Sequence, residues 1–262
     1  MNEREQKALE AILSSKNYRE ICPDTVKRVF EGKLPLYKSL KEADKAARAS
    51  LHQITGAFMT AEEIRTAEKM AAEFARGSEA ALEKTLELHS STRERKGSWR
   101  AMYEKAFAAL GKTPESVLDL ACGLNPIALG ALGVKTVRGY DIQGGAVNAV
   151  NAWAEAAGWD VRGFCADLLC DIEWEEAELA LMMKLLPLLE RQRAGAAREL
   201  LESCPAKYVL VTFPTRTLGG RNVGMEEQYG NWMEENTPAS METLARFVEG
   251  TELCYVLKRR ES

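Results

Sequence analysis

The sequence is poor in the residues that build metal centres and disulfide frameworks. It has two histidines and six cysteines in 262 residues, and no two cysteines form a C-x-x-C pair. This distribution argues against a zinc site and against a disulfide-stabilised fold, so we expect reduced thiols. No apolar run approaches the roughly 20 residues that a membrane-spanning helix needs, and the charged start of the chain predicts no signal peptide. We therefore expect a cytoplasmic protein with no metal ion and no membrane partner.

The chain also has little excess of charge of either sign, since its net charge is only −4. It is unevenly spread: residues 1–110 hold 20 Lys/Arg against 17 Asp/Glu, and residues 111–262 hold 15 against 22. A mildly basic front half permits contact with a polyanion, although solvated helix faces account for most such charges. The hydrophobic content of 46% is typical of a globular protein with one large domain or a main domain and an extension.

The hydrophobic pattern changes at 111–114, which separates two regions. Residues 1–110 have helical spacing and two capping boxes, at 39–42 and 60–63. The last part of this region, 82–110, predicts one long helix with a kink near Gly97. We interpret residues 1–110 as an α-helical N-terminal region that precedes a second region, 111–262.

Residues 111–262 alternate between short apolar segments and helical segments. The predicted strands are 117–120, 136–140, 161–165, 179–183, 208–212 and 252–257. The predicted helices are 126–132, 145–157, 188–203 and 240–248. This alternation predicts an α/β fold with a doubly wound, mostly parallel sheet.

The stretch 116–131 predicts a ligand cradle after the first strand. Asp119 lies near the carboxyl end of that strand, Asn125 is placed to cap the next helix, and Pro126 occupies a first-turn position that needs no N–H. The tight turn between strand and helix consists of Ala121, Cys122 and Gly123. A strand, a turn of small residues and a helix N-terminus form the cofactor site of open α/β sheets.

The same turn lacks the dinucleotide fingerprint G-x-G-x-x-G. In that fingerprint the later glycines allow the backbone to approach a pyrophosphate, but in this chain residues 124–126 are Leu-Asn-Pro. This difference suits a ligand without pyrophosphate, such as S-adenosylmethionine. An ordinary βα turn is the alternative.

Two carboxylates follow the second and third predicted strands. Asp141 comes about 20 residues after the first turn, where an acidic side chain accepts hydrogen bonds from ribose hydroxyls. Asp167 can accept from the adenine amino group, with Leu168 against the base. The alternatives are a carboxylate that caps the next helix for Asp141 and an ordinary loop aspartate for Asp167.

Three further segments carry groups that could hold a ligand. Lys184 follows the fourth strand, where loops reach the reactive end of a cofactor. The loop 213–222 has an aromatic residue and two arginines, which could stack on a base or grip a phosphate, or merely connect two elements. In 89–95, two hydroxyl side chains share a helix face with Arg95. The guanidinium could bind a carboxylate bidentately, or the segment could form a solvated helix face.

Seven short motifs, in order and spacing, resemble the aminoglycoside-resistance 16S ribosomal RNA (guanine-N7) methyltransferases along nearly the whole chain. They are Ser15-Lys-Asn-Tyr-Arg19, Cys22-Pro-Asp-Thr-Val26, Ala47-Arg-Ala-Ser-Leu-His52, His89-x-Ser-Thr-x-Glu-Arg95, Asp119-Leu-Ala-Cys-Gly-Leu-Asn-Pro126, Lys184-Leu-Leu-Pro-Leu-Leu-Glu190 and Phe213-Pro-Thr-Arg-x-Leu-Gly-Gly-Arg221. Conservative departures, such as Asn17 and Thr217, remove no motif.

The resemblance implies a class I, Rossmann-like fold that binds S-adenosylmethionine. Asp141 would hold the ribose, and Arg95, with Ser91 or Thr92, the methionine carboxylate. The implied cofactor-binding set is Ser91, Thr92, Arg95, Asp119, Ala121, Gly123, Asp141, Ile142, Asp167 and Leu168. No catalytic base is expected, because N7 of guanine keeps a free lone pair at neutral pH.

The resemblance also implies a substrate, the 16S rRNA of the 30S ribosomal subunit, and resistance to 4,6-disubstituted deoxystreptamine aminoglycosides. We expect a monomer. The helical region would dock on the ribosome, with phosphate contacts from Lys16, Arg19, Lys27, Arg28, Arg48 and Arg221. The target base would be positioned by Lys184, Phe213 and Arg216. The alternatives are a methyltransferase for another rRNA position and a ribosome-binding module with a vestigial cofactor fold.

Overall fold

A computed structural model of the chain describes residues 1–55, 59–215 and 224–260. The helices in these ranges are α1 (Glu3–Leu13), α2 (Pro23–Lys33), α3 (Leu40–Thr55), α4 (Ala61–Ala75), α5 (Ala80–Leu86), α6 (Ser90–Arg93), α7 (Trp99–Leu110), α8 (Asn125–Ala131), α9 (Gly144–Ala157), α10 (Leu186–Gln192), α11 (Ala196–Ser203) and α12 (Met225–Asn236). The strands are β1 (Ser116–Leu120), β2 (Thr136–Asp141), β3 (Asp160–Cys165), β4 (Ala177–Met183), β5 (Ala206–Pro214), β6 (Met241–Glu249) and β7 (Glu252–Arg259).

The seven strands form one sheet in the order β3-β2-β1-β4-β5-β7-β6. The first five strands in this order pair in parallel, whereas β7 pairs antiparallel with both β5 and β6. The predicted α/β class and mostly parallel sheet are confirmed. The chain order reverses between β1 and β4, and ligands of open α/β sheets bind at the carboxyl ends of the strands at such a point.

Helices cover both faces of the sheet. Side chains of α4, α5, α7, α8 and α9 form one core against it, in which the indole of Trp153 is fully buried and donates a hydrogen bond to the carbonyl of Ala67 at 2.9 Å. The opposite core contains side chains of α10, α11 and α12. Burial of large apolar side chains on both faces explains why the central strands read as continuous apolar runs.

The first three helices have a core of their own. Ile12 of α1, Phe30 of α2 and Leu51 of α3 are fully buried in it. A backbone bond from Cys22 N–H to the Ile142 carbonyl, 2.8 Å long, joins this helical unit to the end of β2. The unit therefore lies beside the carboxyl edge of the sheet. No helix in the described part of the chain is both long and apolar enough to cross a membrane.

The predicted helix over 240–248 is wrong, because these residues form β6. Gly250, at φ +56°, lies in the two-residue connection to β7, and the hairpin pairs β6 along its length with β7. Phe247 and Ala245 pack onto the core from one face of the strand. Cross-strand packing thus overrides a local helical pattern.

Two other predicted helices are interrupted in the structure. The long helix predicted over 82–110 is divided into α5, α6 and α7, and Gly97 in the second break has φ +77°. The helix predicted over 188–203 is divided into α10 and α11 by Gly195, at φ +82°. Glycines in this left-handed region end helices without steric cost.

Candidate functional site

The turn after β1 has an unusual backbone. Gly123 has φ +51°, and a Cβ atom there would lie 2.6 Å from the His89 imidazole. Ala121 has φ +59° although it is not glycine, and it is exposed. Non-glycine residues in this region store strain and cluster at ligand sites. The turn is therefore a shaped, strained segment at the carboxyl edge of the sheet.

The Asp141 carboxylate, at the end of β2, fixes the backbone of this turn by accepting a hydrogen bond from it. Its Oδ2 accepts a hydrogen bond from the Gly123 N–H at 2.8 Å, and its Oδ1 accepts from the Gln143 N–H at 2.8 Å. A carboxylate has about four acceptor positions, so two remain, and the side chain is only partly buried. The structure thus places Asp141 at the cradle, and the same carboxylate also supports the start of α9, as in the alternative interpretation.

Arg95 stands at the centre of a buried polar network. Its side chain is 3% exposed, with Nη2 donating to Ser91 Oγ at 2.6 Å and Nη1 to Asn125 Oδ1 at 2.9 Å. Asn125 Nδ2 donates in turn to Asp119 Oδ2 at 2.7 Å, and Tyr103 donates to Asn125 Oδ1 at 2.8 Å. Burial raises the pKa of Asp119 to about 7. Nη1 also donates to Met183 Sδ at 3.4 Å and Nε faces Glu252, so among the described residues one N–H on Nη2 remains for an anionic ligand.

Two sequence predictions about this network are wrong. Asn125 does not cap α8, because its amide points into the network and no side-chain cap bond is made. Thr92 does not face Arg95: its hydroxyl donates to the carbonyl oxygens of Leu86 and His89. Of the two hydroxyls that share a predicted face with Arg95, only Ser91 contacts it.

A fully buried carboxylate, which sequence reasoning missed, completes the network. Glu252 Oε1 lies 3.1 Å from Arg95 Nε and 3.0 Å from Lys184 Nζ. Burial acts to raise the pKa of Glu252, but the two cations outweigh it and hold the pKa below its ordinary value. Lys184, at φ +55°, also pairs with Glu94. Lys184 therefore lies beside the network that holds Arg95.

Asp167 and Arg28, predicted for different ligands, form an ion pair. Asp167 is 4% exposed, and its Oδ2 accepts from Arg28 Nε at 2.9 Å and lies 2.8 Å from Arg28 Nη2. Arg28 also donates to Gln192 at 3.0 Å. The prediction of Arg28 as a phosphate contact is corrected, because its guanidinium is committed to Asp167. Leu168 beside it packs partly buried against the core.

Phe213 is unsuited to its predicted role. Its ring is 0% exposed and stacks on Tyr229 at 4.5 Å between centroids, with Trp232 and Tyr255 against its edges. No face of the ring is free to stack on a base, so this prediction is corrected. Arg216 and Arg221 lie outside the described residues.

The remaining predicted phosphate contacts fall into two groups. Lys16, Arg19 and Lys27 are exposed on the helical unit α1–α3 and the loop after α1. Arg48 is different: its Nε donates to Asp44 at 3.0 Å, and its guanidinium lies over the Tyr18 ring. The first group is available to a polyanion, whereas Arg48 is engaged within the protein.

The donor set fits S-adenosylmethionine. A carboxylate with spare acceptors suits a ribose diol, a fixed guanidinium suits the methionine carboxylate, and the strained turn between them presents backbone to the ligand. Within the described ranges, no group of three or more His, Cys, Asp or Glu residues is arranged to hold a metal ion. The carboxylate of Asp141 and the guanidinium of Arg95 match an organic cofactor with a hydroxyl-rich part and an anionic part.

Comparison with known proteins agrees with this geometry. Residues 14–256 match the family model described as ribosomal RNA methyltransferase (FmrO). The chain is 43% identical, over 96% of its length and 97% of the relative, to the 16S rRNA (guanine(1405)-N(7))-methyltransferase of Serratia marcescens. An enzyme of the same name from Micromonospora echinospora is 32% identical over 95% of each chain.

The fold also matches that of a solved enzyme. The crystal structure of the 16S rRNA methyltransferase RmtF in complex with S-adenosyl-L-homocysteine superposes with a TM-score of 0.91 at 50% identity. The match covers 99% of this chain and all of the other. The chain therefore belongs to the FmrO family of ribosomal RNA methyltransferases.

Proposed function

We propose that the chain transfers a methyl group from S-adenosylmethionine to N7 of guanine 1405 in 16S rRNA, within the 30S subunit, in the bacterial cytoplasm. The observation that carries the proposal is the cradle of Asp141 and Arg95 in a chain that matches, almost end to end, relatives named for this activity. The enzyme acts as a monomer with the 30S subunit as its partner.

Catalysis in this proposal is alignment rather than proton transfer. S-adenosylmethionine, when bound, supplies a methyl group that its positively charged sulfur already activates. N7 of guanine has an unprotonated lone pair, so no residue of the chain has to remove a proton. Asp141 accepts from the ribose hydroxyls and Arg95 binds the methionine carboxylate, which fixes both ends of the cofactor. In well-oriented intramolecular reactions such orientation can supply about 7–11 kcal/mol of the barrier.

The target guanine has to be presented outside its helix. N7 faces the deep major groove of A-form RNA, which side chains cannot read, so the base leaves its stack to reach the site. Lys184 directly follows β4 beside the Arg95 network, and its side chain is 17% exposed. We place Lys184 as the cation that orients the guanine through O6 or a neighbouring phosphate.

Methyl transfer to purified 30S subunits tests the proposal. Labelled S-adenosylmethionine is supplied with 30S subunits, free 16S rRNA or 50S subunits, and the modified base is mapped. We expect label in 30S subunits at one guanine, as N7-methylguanine. Label at another position would favour the alternative rRNA methyltransferase, and no cofactor binding at all would favour a ribosome-binding module with a vestigial fold.

The exposed cations of the helical unit are expected to dock the enzyme on rRNA. Replacing Lys16, Arg19 and Lys27 with glutamine should lower kcat/KM for 30S subunits at least tenfold and reduce the salt dependence of binding, by about one unit of slope for each lost phosphate contact. Cofactor affinity, measured by calorimetry, should not change, because these side chains lie on the surface.

The matched control removes three exposed lysines outside α1–α3. These are Lys84, Lys112 and Lys135. Their replacement with glutamine gives a similar change in net charge, and 30S methylation should stay within twofold of the unmodified enzyme, in roughly the range expected of a surface substitution. Equal losses in both triple variants would show that net charge, rather than a docking surface on α1–α3, controls the rate.

Arg28→Ala is expected to weaken cofactor binding rather than ribosome docking alone. The change leaves the buried Asp167 carboxylate without its guanidinium partner, and a hydrogen bond to a charged group contributes about 1.5–3 kcal/mol. We expect about a tenfold loss of S-adenosylmethionine affinity by calorimetry. Lys27→Ala, one residue away and exposed, is the control; an unchanged affinity in Arg28→Ala would exclude Asp167 from the adenine site.

A further inference from the structure

Glu252 is the most deeply buried charge in the described residues that the proposed mechanism does not use. Its side chain is 1% exposed, and it begins β7, directly opposite Pro214 of β5. The two cations that contact it come from elsewhere in the chain: Arg95 follows α6, and Lys184 follows β4. One carboxylate thus connects three segments that meet at the carboxyl edge of the sheet.

The contacts of Glu252 are ionic rather than aligned hydrogen bonds. Arg95 Nε and Lys184 Nζ both lie about 3 Å from the same oxygen, Oε1. Among the described residues, neither Glu252 oxygen nor Arg95 Nε has an aligned hydrogen-bond partner, although the Thr212 side chain of β5 also helps to lower the pKa of Glu252. Buried carboxylates are normally hydrogen-bonded, and exceptions call for an explanation. The shared oxygen therefore ties Glu252 to both cations at once.

Sharing one oxygen makes the positions of the two cations interdependent. If Lys184 moves away, Glu252 neutralises Arg95 alone and draws it closer. If Glu252 is removed, two like charges lose the anion between them, and Lys184 turns to its other partner, the half-exposed Glu94. A change in the position of either cation is therefore transmitted to the other through the Glu252 carboxylate.

We infer that Glu252 is a positioning residue that couples the cofactor end of the site, through Arg95, to the target-guanine end, through Lys184. This inference rests on the proposed function for the roles of the two cations. Glu252 touches neither the cofactor nor the base and removes no proton. It sets the place of the guanidinium that binds the methionine carboxylate and of the ammonium that meets the guanine.

A double-mutant cycle on S-adenosylhomocysteine affinity tests the coupling without any RNA. Lys184→Met should weaken S-adenosylhomocysteine binding about threefold in the unmodified enzyme, because Glu252 then draws the Arg95 guanidinium away from the position that binds the ligand carboxylate. Glu252→Gln, which keeps the side-chain shape, should weaken it about tenfold. In the Glu252→Gln background, Lys184→Met should change affinity by less than twofold, since the connection is already lost. A residue that merely stabilises the fold would lower the unfolding temperature and leave S-adenosylhomocysteine affinity unchanged, whereas non-additive effects on affinity report the coupling.

Two controls accompany the cycle. Glu249→Gln alters the same hairpin but removes only a surface pair with Lys105, so affinity and 30S methylation should not change. Glu94→Gln removes the other partner of Lys184 but leaves the ammonium on Glu252, so it should lower 30S methylation and change S-adenosylhomocysteine affinity by less than the threefold expected of Lys184→Met. Thermal unfolding of each variant reports whether the fold persists.

The outcomes separate the inference from the proposed function. Unchanged S-adenosylhomocysteine affinity in folded Glu252→Gln, or additive effects in the cycle, would overturn the coupling. If Glu252→Gln does not fold, Lys184→Met alone decides, because its side chain is partly exposed and an unchanged affinity excludes transmission to Arg95. A chain that binds S-adenosylhomocysteine with the expected coupling but does not methylate 30S subunits would refute the proposed function and leave the coupling standing.

Discussion

Replacing Asp141 with alanine is expected to weaken S-adenosylmethionine binding about 100-fold while the protein stays folded. The change removes the acceptor for two ribose hydroxyls, and each charge-assisted hydrogen bond contributes roughly 1.5–3 kcal/mol, with a tenfold change in affinity for about every 1.4 kcal/mol. It also releases the N–H groups of Gly123 and Gln143 that the carboxylate holds. Calorimetric titration and thermal unfolding measure the two effects separately.

Two further variants sharpen this experiment. Asp141→Asn keeps one acceptor oxygen but turns an amide NH₂ toward a backbone N–H, so we expect an intermediate loss of affinity. Asp160→Ala removes an exposed aspartate from the opposite end of the neighbouring strand, where it pairs with Arg138, and should leave the affinity unchanged. Unchanged affinity in Asp141→Ala would mean that the ribose lies elsewhere and that the cradle binds a different part of the ligand.

The cradle could be predicted because its signals are local. A short apolar strand, a turn of small residues and a helix start with proline occur within 116–131, and the structure places them as β1, a left-handed turn and α8. The position of Asp141 follows from the alternation of strands and helices, since parallel strands end at one edge of the sheet. What the sequence could not show is that Ala121, rather than a glycine, takes one of the strained positions.

The ion pairs of the site could not be predicted from the sequence. Arg28 meets Asp167, and Glu252 meets Arg95, across long separations in the chain that depend on how the helical unit and the β6–β7 hairpin pack on the sheet. A basic residue on an exposed-looking helix predicts a phosphate contact when its partner is not known. The error at Arg28 therefore arises from tertiary pairing, which no local pattern encodes.

Phe213 fails as a base-stacking residue for a related reason. An aromatic residue at the end of a strand and before a glycine-rich loop predicts a ring at the site. Helix α12, which the sequence pattern did not predict, brings Tyr229 and Trp232 over that ring and buries it. The strand sets the face on which a strand-end residue lies, but what covers that residue depends on the next helix.

The second large effect is expected in cells. Expression of the chain in a susceptible bacterium should raise the inhibitory concentration of gentamicin and kanamycin, which have a 4,6-disubstituted deoxystreptamine core, about 100-fold or more. The target guanine of the family lies against this drug position in the decoding site. Methylation of N7 removes a hydrogen-bond acceptor, adds bulk and leaves the base cationic. An unpaired buried donor alone costs about 1–3 kcal/mol, and a tenfold loss of affinity corresponds to about 1.4 kcal/mol.

Drugs with a 4,5-disubstituted core should not be affected. Both drug series are polycations, so a positive charge on the base opposes either one, but only a drug whose rings lie against N7 meets the added methyl group and loses the hydrogen bond. Drugs with a 4,5-disubstituted core, such as neomycin, place their extra rings elsewhere, and their inhibitory concentration should change by no more than about twofold, which corresponds to roughly 0.4 kcal/mol.

The Asp141→Ala variant, expressed at the same level, is the control for this experiment, since it should bind its cofactor poorly and give little protection. Resistance to both drug series, or to neomycin alone, would exclude guanine 1405 and indicate a neighbouring position in the decoding site. Resistance that persists in Asp141→Ala would show that the protein protects by occupying the ribosome rather than by methylating it. Sensitivity to every drug, in a chain that binds S-adenosylmethionine in vitro, would direct the search to a different RNA.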